Sequence, residues 1–218
     1  MVRIRIEYGK RGDMRFIGHL DTMRIFFRSF RRARLPLLYT QGFSPRIKSS
    51  SSPPLPLGFF SDAEYLDIFL EGEASEEMIK DSLGKNLPEG LDIIDIKSSP
   101  LETNRNSQIK EILYEVDLTP VIEGPMIKAG FIEDSKCVDR REKAINFLRN
   151  LKLINHNKIK EIRVIGDCRI ELRIYGLTNP RKILVDIIGI EEEALLGCFF
   201  KRVKINFSKM EVESVCVR

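Results

Sequence analysis

The chain has 218 residues, 43 % of them apolar and 31 % charged, and a net charge of +4. That balance excludes a disordered chain. No apolar run approaches the roughly 20 residues a spanning helix needs, so no membrane partner is expected, and the alternating start MVRIRIEYGK lacks a signal peptide's apolar run, which leaves the cytoplasm as the expected compartment.

Along the chain, Val2, Ile4, Ile6 and Tyr8 alternate with Arg3, Arg5 and Glu7, the period of a half-buried strand. Residues 19–34 read as a helix stopped by Leu35-Pro36. The Ser/Pro-rich stretch from Gln41 to Gly58 is expected to hold a short strand near Ile47. In EYLDIFL, Leu66, Ile68 and Leu70 share one strand face. Ser75 reads as the N-cap of a helix reaching about Leu83, with Glu76 and Glu77 suited to its dipole. LDIIDI follows as a strand, and the polar residues 103–110 as a connector.

A second series then begins with the strand ILYEVDL and an irregular stretch, 119–136. Ala144, Phe147, Leu148 and Leu151 mark a helix, and EIRVIGDCRIELRIYG a hairpin around Gly166-Asp167. Asn179-Pro180 starts a helix that Gly189 stops, and FKRVKINF is the last strand. The order β-α-β-β-α-β thus occurs twice. The expected fold is α+β, two ferredoxin-like units in tandem over 1–102 and 111–218.

The charge is distributed unevenly. Residues 1–60 hold twelve Lys/Arg against three Asp/Glu, and residues 61–102 hold three against twelve. Either these +9 and −9 blocks neutralise each other in the fold, or the basic block faces a phosphate-rich ligand. On the helix, Leu20, Met23, Phe26, Phe27 and Phe30 are expected to share the apolar face, with Arg24, Arg28, Arg31 and Arg32 on an adjoining stripe. Mutual repulsion costs roughly a few tenths of a kcal/mol per i,i+4 pair, and Asp21 is the only acid on that helix. Arginine also suits bidentate phosphate contacts. The following loop sets Tyr39, Gln41, Phe43, Arg46 and Lys48 among Gly, Ser and Pro, a pattern fit for base stacking and phosphate contacts. His19, at the helix start, is a candidate base because the positive end of the dipole disfavours imidazolium. His156 reads as a loop residue.

The run from Gly12 to Leu70 resembles the radical SAM-linked protein family, a domain of unknown function. The resemblance rests on Arg-Phe-Ile-Gly-His-Leu-Asp at 15–21, the arginine-rich helix to Pro36, Gly-Phe-Ser-Pro at 42–45 and Pro-Leu-Pro-Leu-Gly at 54–58. It implies a radical SAM protein as partner and an RNA-linked role, and supplies no catalytic residues.

The chain itself cannot be the radical enzyme. Cys137, Cys168, Cys198 and Cys216 contain no CxxxCxxC and no CxxC, so neither an iron–sulfur nor a zinc site is expected. GxxxxGK[ST] and GxGxxG are also missing, and no cofactor is expected. The expected function is a non-catalytic accessory module that binds RNA through Arg15, the four helix arginines and the 39–48 loop. The alternative is an adaptor that docks a partner protein without RNA. A metal-independent endoribonuclease would use His19 as base with Tyr39 or Lys48 as helper. The strand cations Arg3, Arg5, Arg163, Arg173, Arg202 and Lys204 are expected to be exposed, and they do not form the aromatic platform of an RNA-recognition motif.

Overall fold

The structure, a computed structural model, describes residues 1–72, 74–99, 109–123, 150–151, 154–166 and 168–207. Alternation sets the first strand, β1 (Val2–Lys10), and a 3-10 turn at Gly12–Phe16 leads into α1 (His19–Arg32). Strands β2 (Ser49–Ser51) and β3 (Phe60–Leu70), helix α2 (Glu76–Gly84) and strand β4 (Leu91–Ser99) complete the first stretch. After it come β5 (Ile109–Asp117), α3 (Thr119–Glu123), β6 (Ile159–Val164), β7 (Arg169–Tyr175), α4 (Pro180–Asp186) and β8 (Phe199–Phe207). Ile109 and Lys110, expected in the connector, already belong to β5, and the helix expected around 144–151 lies outside the described residues except at its end.

The molecule is mixed α+β, with one mostly antiparallel eight-stranded sheet in the order β4-β1-β3-β8-β5-β7-β6, and β2 on β3. The two expected caps form: Ser75 Oγ accepts from Met78 N, and Asn179 Oδ1 accepts from Arg181 N with Pro180 at the first position. Beyond α1, Arg34 takes a left-handed conformation (φ 52°), which lets Leu35 N donate to Phe30 O. Such a conformation costs a residue with a Cβ about 1–2 kcal/mol.

The two stretches meet at one short parallel pairing, Phe60–Lys201 and Ser61–Arg202. Two cores flank it. Ile4, Ile6 and Tyr8 pack with Met23, Phe26 and Phe30 of α1 and with Ile79 and Leu83 of α2. The other core gathers β5, β7, β8 and α4, and it also takes Leu55 and Phe59 from the Pro-rich segment. Phe59 stacks on Phe200 at 4.5 Å between centroids. The segment therefore joins the two stretches through apolar contacts.

Arg202 of β8 completes the seam. Its side chain is 2 % exposed, and it donates to both Glu64 oxygens (2.9 and 3.2 Å), to Tyr114 Oη (3.2 Å) and to Pro53 O (3.0 Å). Ser52 and Ser61 donate to the same carboxylate. Arg202 was expected on an exposed strand position, as were Arg3 and Arg5. All three are buried, because β3 carries Glu64 and Asp67 where β8 and β1 bring the guanidinium groups. Removing one partner of such a pair strands a charge. Arg202→Met is expected to cost about 3–5 kcal/mol in urea denaturation. The double variant Arg202→Met/Glu64→Leu is expected to recover a large part of that loss; a single-variant cost under about 1 kcal/mol would contradict this role.

Candidate nucleic-acid interface

The strand register places the candidate residues in two groups. Val2 lies opposite Leu70 and Lys10 opposite Ser61, so the sheet around β1 has a Val2 end and a Lys10 end. His19 and Arg15 sit at the Lys10 end. The C-terminal arginines of α1 and the 37–48 segment sit toward the Val2 end, where Leu37 bridges Leu70 and Leu38 N donates to Phe69 O.

The expected loop is a small hairpin. Thr40 N donates to Arg46 O, Lys48 N donates to Leu38 O, and Tyr39 bridges Ile47, whose side chain is buried. These contacts leave residues 41–46 exposed at the tip, with Phe43 fully in solvent. The Lys48 ammonium lies over the Phe69 ring at 4.9 Å.

Helix α1 buries Met23, Phe26 and Phe30 as expected, whereas Phe27 is half-buried and Leu20 is 72 % exposed. At 100° per residue Leu20 falls within about 40° of Arg24 and Arg31, on the outer ridge and not over the sheet. Arg24 pairs with Asp21 at 2.7 Å, and Arg32 donates to Asn86 O at 2.7 Å and to Ser29 Oγ. Arg28, Arg31, Arg34 and Arg46 are exposed and make no side-chain hydrogen bond or ion pair with a described residue. The acidic block does reach part of the basic one: Asp67 holds Arg3 and Arg5, and Asp62 and Asp92 hold Arg11. Among the described residues it does not reach these four arginines.

At the Lys10 end lies a polar cluster that sequence reading missed. Register alternation puts Lys10 on the face of β1 that carries Tyr8 and Ile6, beneath the start of α1. Lys10 is 3 % exposed, and its ammonium donates to Ile17 O at 2.5 Å. Tyr8, Lys10, His19, Thr22, Leu55 and Glu64 line a cavity of about 10 Å³, room for one water. His19 Nε2 faces Ser51 Oγ at 3.4 Å. The signal in the sequence was a Lys on the apolar phase of β1 and a Glu on that of β3, each needing a partner once buried.

Burial lowers the His19 pKa below its ordinary value; Glu64 opposes this, and Lys10 and Arg202 add to it. Burial also lowers the pKa of Lys10, again opposed by Glu64. His19 is thus held neutral near pH 7, able to accept a proton. The proposed helpers do not join it: Lys48 is committed to Phe69 and Tyr39 to the hairpin. Arg15 instead lies over Phe16, Phe60 and Phe199, at 4.5, 4.8 and 5.5 Å. Its backbone carbonyl accepts from Gly58 N at 2.9 Å, which ties the two ends of the quoted motif together.

The low His19 pKa has a sign. The unfolded chain takes up its proton first as pH falls below about 6.5, so folding stability drops from there until the folded group also titrates. Thermal unfolding at pH 7.5 and 5.5 is expected to show a smaller loss for His19→Gln than for the parent chain. Equal losses would mean that His19 does not titrate differently on folding.

No curated protein matches the chain. A crystal structure of an unknown protein from Galdieria sulphuraria is 11 % identical and covers 92 % of this chain and 95 % of its own, with a TM-score of 0.27, too low to carry an argument. Among the described residues no helix is long and apolar enough to cross a membrane. A family model matches residues 3–187, and the chain belongs to that family, DUF2344, described as an uncharacterized protein conserved in bacteria.

Proposed function

We propose that this chain is a cytoplasmic, non-catalytic accessory module that binds RNA and serves a radical SAM partner. The observation that carries the RNA reading is the row of exposed arginines, Arg28, Arg31 and Arg34, with Arg46 on the neighbouring hairpin, none held by a carboxylate of the described residues. Like charges gathered in this way repel unless an external anion balances them. Arginine forks match phosphate oxygens. The radical SAM partner is only what the resemblance carried by Arg15 to Asp21 and Pro54 to Gly58 implies.

The tandem ferredoxin-like reading is part of the same proposal. Its support is the strand order. Residues 1–99 run β4-β1-β3-β2 and residues 109–207 run β8-β5-β7-β6, each with its fourth strand beside its first and its third beside its second.

If four to six phosphates are contacted, log affinity for single-stranded RNA falls with log salt at a slope of about −3 to −4. Arg28→Gln/Arg31→Gln is expected to flatten that slope by roughly 1 to 1.5, with stability changed little because both side chains are exposed. Lys110→Gln/Lys158→Gln, on exposed positions of the far half of the sheet, is the control and is expected to leave the slope unchanged. An unaltered slope in the arginine variant would reject RNA binding by this helix and favour a protein adaptor. A separate check concerns Arg34. Arg34→Gly relieves the left-handed conformation and is expected to raise stability by about 0.5–1 kcal/mol while weakening RNA binding.

A further inference from the structure

The Lys10 end of α1 carries an exposed aromatic group that the arginine row does not explain. Phe16 is 58 % exposed and Phe199 is 48 % exposed, beside Phe60, whose ring lies 6.1 Å from that of Phe199. The Arg15 guanidinium rests against all three rings, and no described carboxylate pairs with it. Cation–π contact uses the face of the guanidinium. Its edge, with the N–H donors, stays available to an anion.

Phe16 ends the turn before α1, separated from it by Ile17 and Gly18, and the exposed positions Leu20, Arg24, Arg28 and Arg31 lie along one ridge of the helix. A 14-residue helix is about 21 Å long. That length spans several successive phosphates of an unpaired strand. A nucleic-acid duplex keeps its bases stacked inside, so phenylalanines exposed beside a phosphate track suit an unpaired base, which can stack on their rings.

We infer that Arg15, Phe16, Phe60 and Phe199 form a base-stacking site for single-stranded RNA, in which an unpaired nucleobase stacks on Phe16 or Phe199 and Arg15 holds the adjoining phosphate. This inference rests on the RNA reading above and adds to it a substrate class, an unpaired strand whose path runs along α1.

The test measures binding of three probes at one salt concentration: an oligouridylate 12-mer, a 12-base-pair RNA duplex and an abasic 12-mer with the same backbone. The parent chain is expected to bind oligouridylate about tenfold or more tighter than either other probe. Phe16→Leu/Phe199→Leu is expected to lose about tenfold in oligouridylate affinity, the low end of the measured range for losing one stacked base, with its salt slope unchanged. Arg15→Lys keeps the charge but loses the stacked plane and the fork, and is expected to weaken oligouridylate several-fold without loss of fold, which covers the case in which the double variant is unstable. Equal affinity for all three probes, with the slope still reduced by Arg28→Gln/Arg31→Gln, overturns the stacking site and leaves the RNA reading standing. Undiminished oligouridylate affinity in both folded variants overturns it too and assigns the phenylalanine patch to a protein contact. Binding to none of the probes overturns both readings.

Discussion

The ion pair between Arg202 and Glu64 is the contact on which the arrangement of this molecule depends. Only two residues of β3 pair with two of β8, too few ladder bonds to hold a sheet together on their own. Arg202 adds donors to a carboxylate, a phenol and a carbonyl of the Pro-rich segment, all out of water. Glu64 is in turn held by Ser52 and Ser61, so its oxygens are satisfied from both sides. Desolvating two charges is expensive, and a pair like this persists only when its geometry satisfies both partners. The Pro-rich segment is fixed by the same contacts, next to Ser51, which pairs with β3 and faces His19. Leu55 and Phe59 then carry the segment into the second core.

The helix arginines were legible as a basic stripe, and Ser75 and Asn179 as caps, because those signals are local in sequence. The strand cations were not. Alternation correctly set Arg3 and Arg5 on the opposite face of β1 from Ile4 and Ile6, yet a period of two says nothing of what covers that face. Asp67, more than sixty residues away, decides it. Lys10 was hidden for the converse reason: it continues the apolar phase of β1 and is buried, with its ammonium donating to the Ile17 carbonyl. Leu20 shows the limit of the helical period. It matches the apolar residues in type, but its angle puts it with Arg24 and Arg31.

The unequal charge blocks also divide by partner. Acids of 61–102 neutralise β1 and the turn after it, through Asp67, Asp62 and Asp92. The helix ridge and the hairpin tip keep their charge: Asp21, the one acid on the helix, pairs with Arg24, and no described carboxylate pairs with Arg28, Arg31, Arg34 or Arg46. Folding therefore draws on the arginines of β1, and the proposed RNA contact draws on other arginines of the same 60 residues. Under that proposal, substitutions in β1 are expected to change folding, and those on the ridge RNA binding.

Photocrosslinking tests this account most directly. An oligoribonucleotide carrying 4-thiouridine at each position in turn is crosslinked to the intact chain, and the attached peptides are identified. The account predicts adducts within residues 15–34 and 39–48 and at Phe199. Adducts concentrated on β6 and β7, or none at RNA concentrations well above the dissociation constant measured for a short single strand, would contradict it.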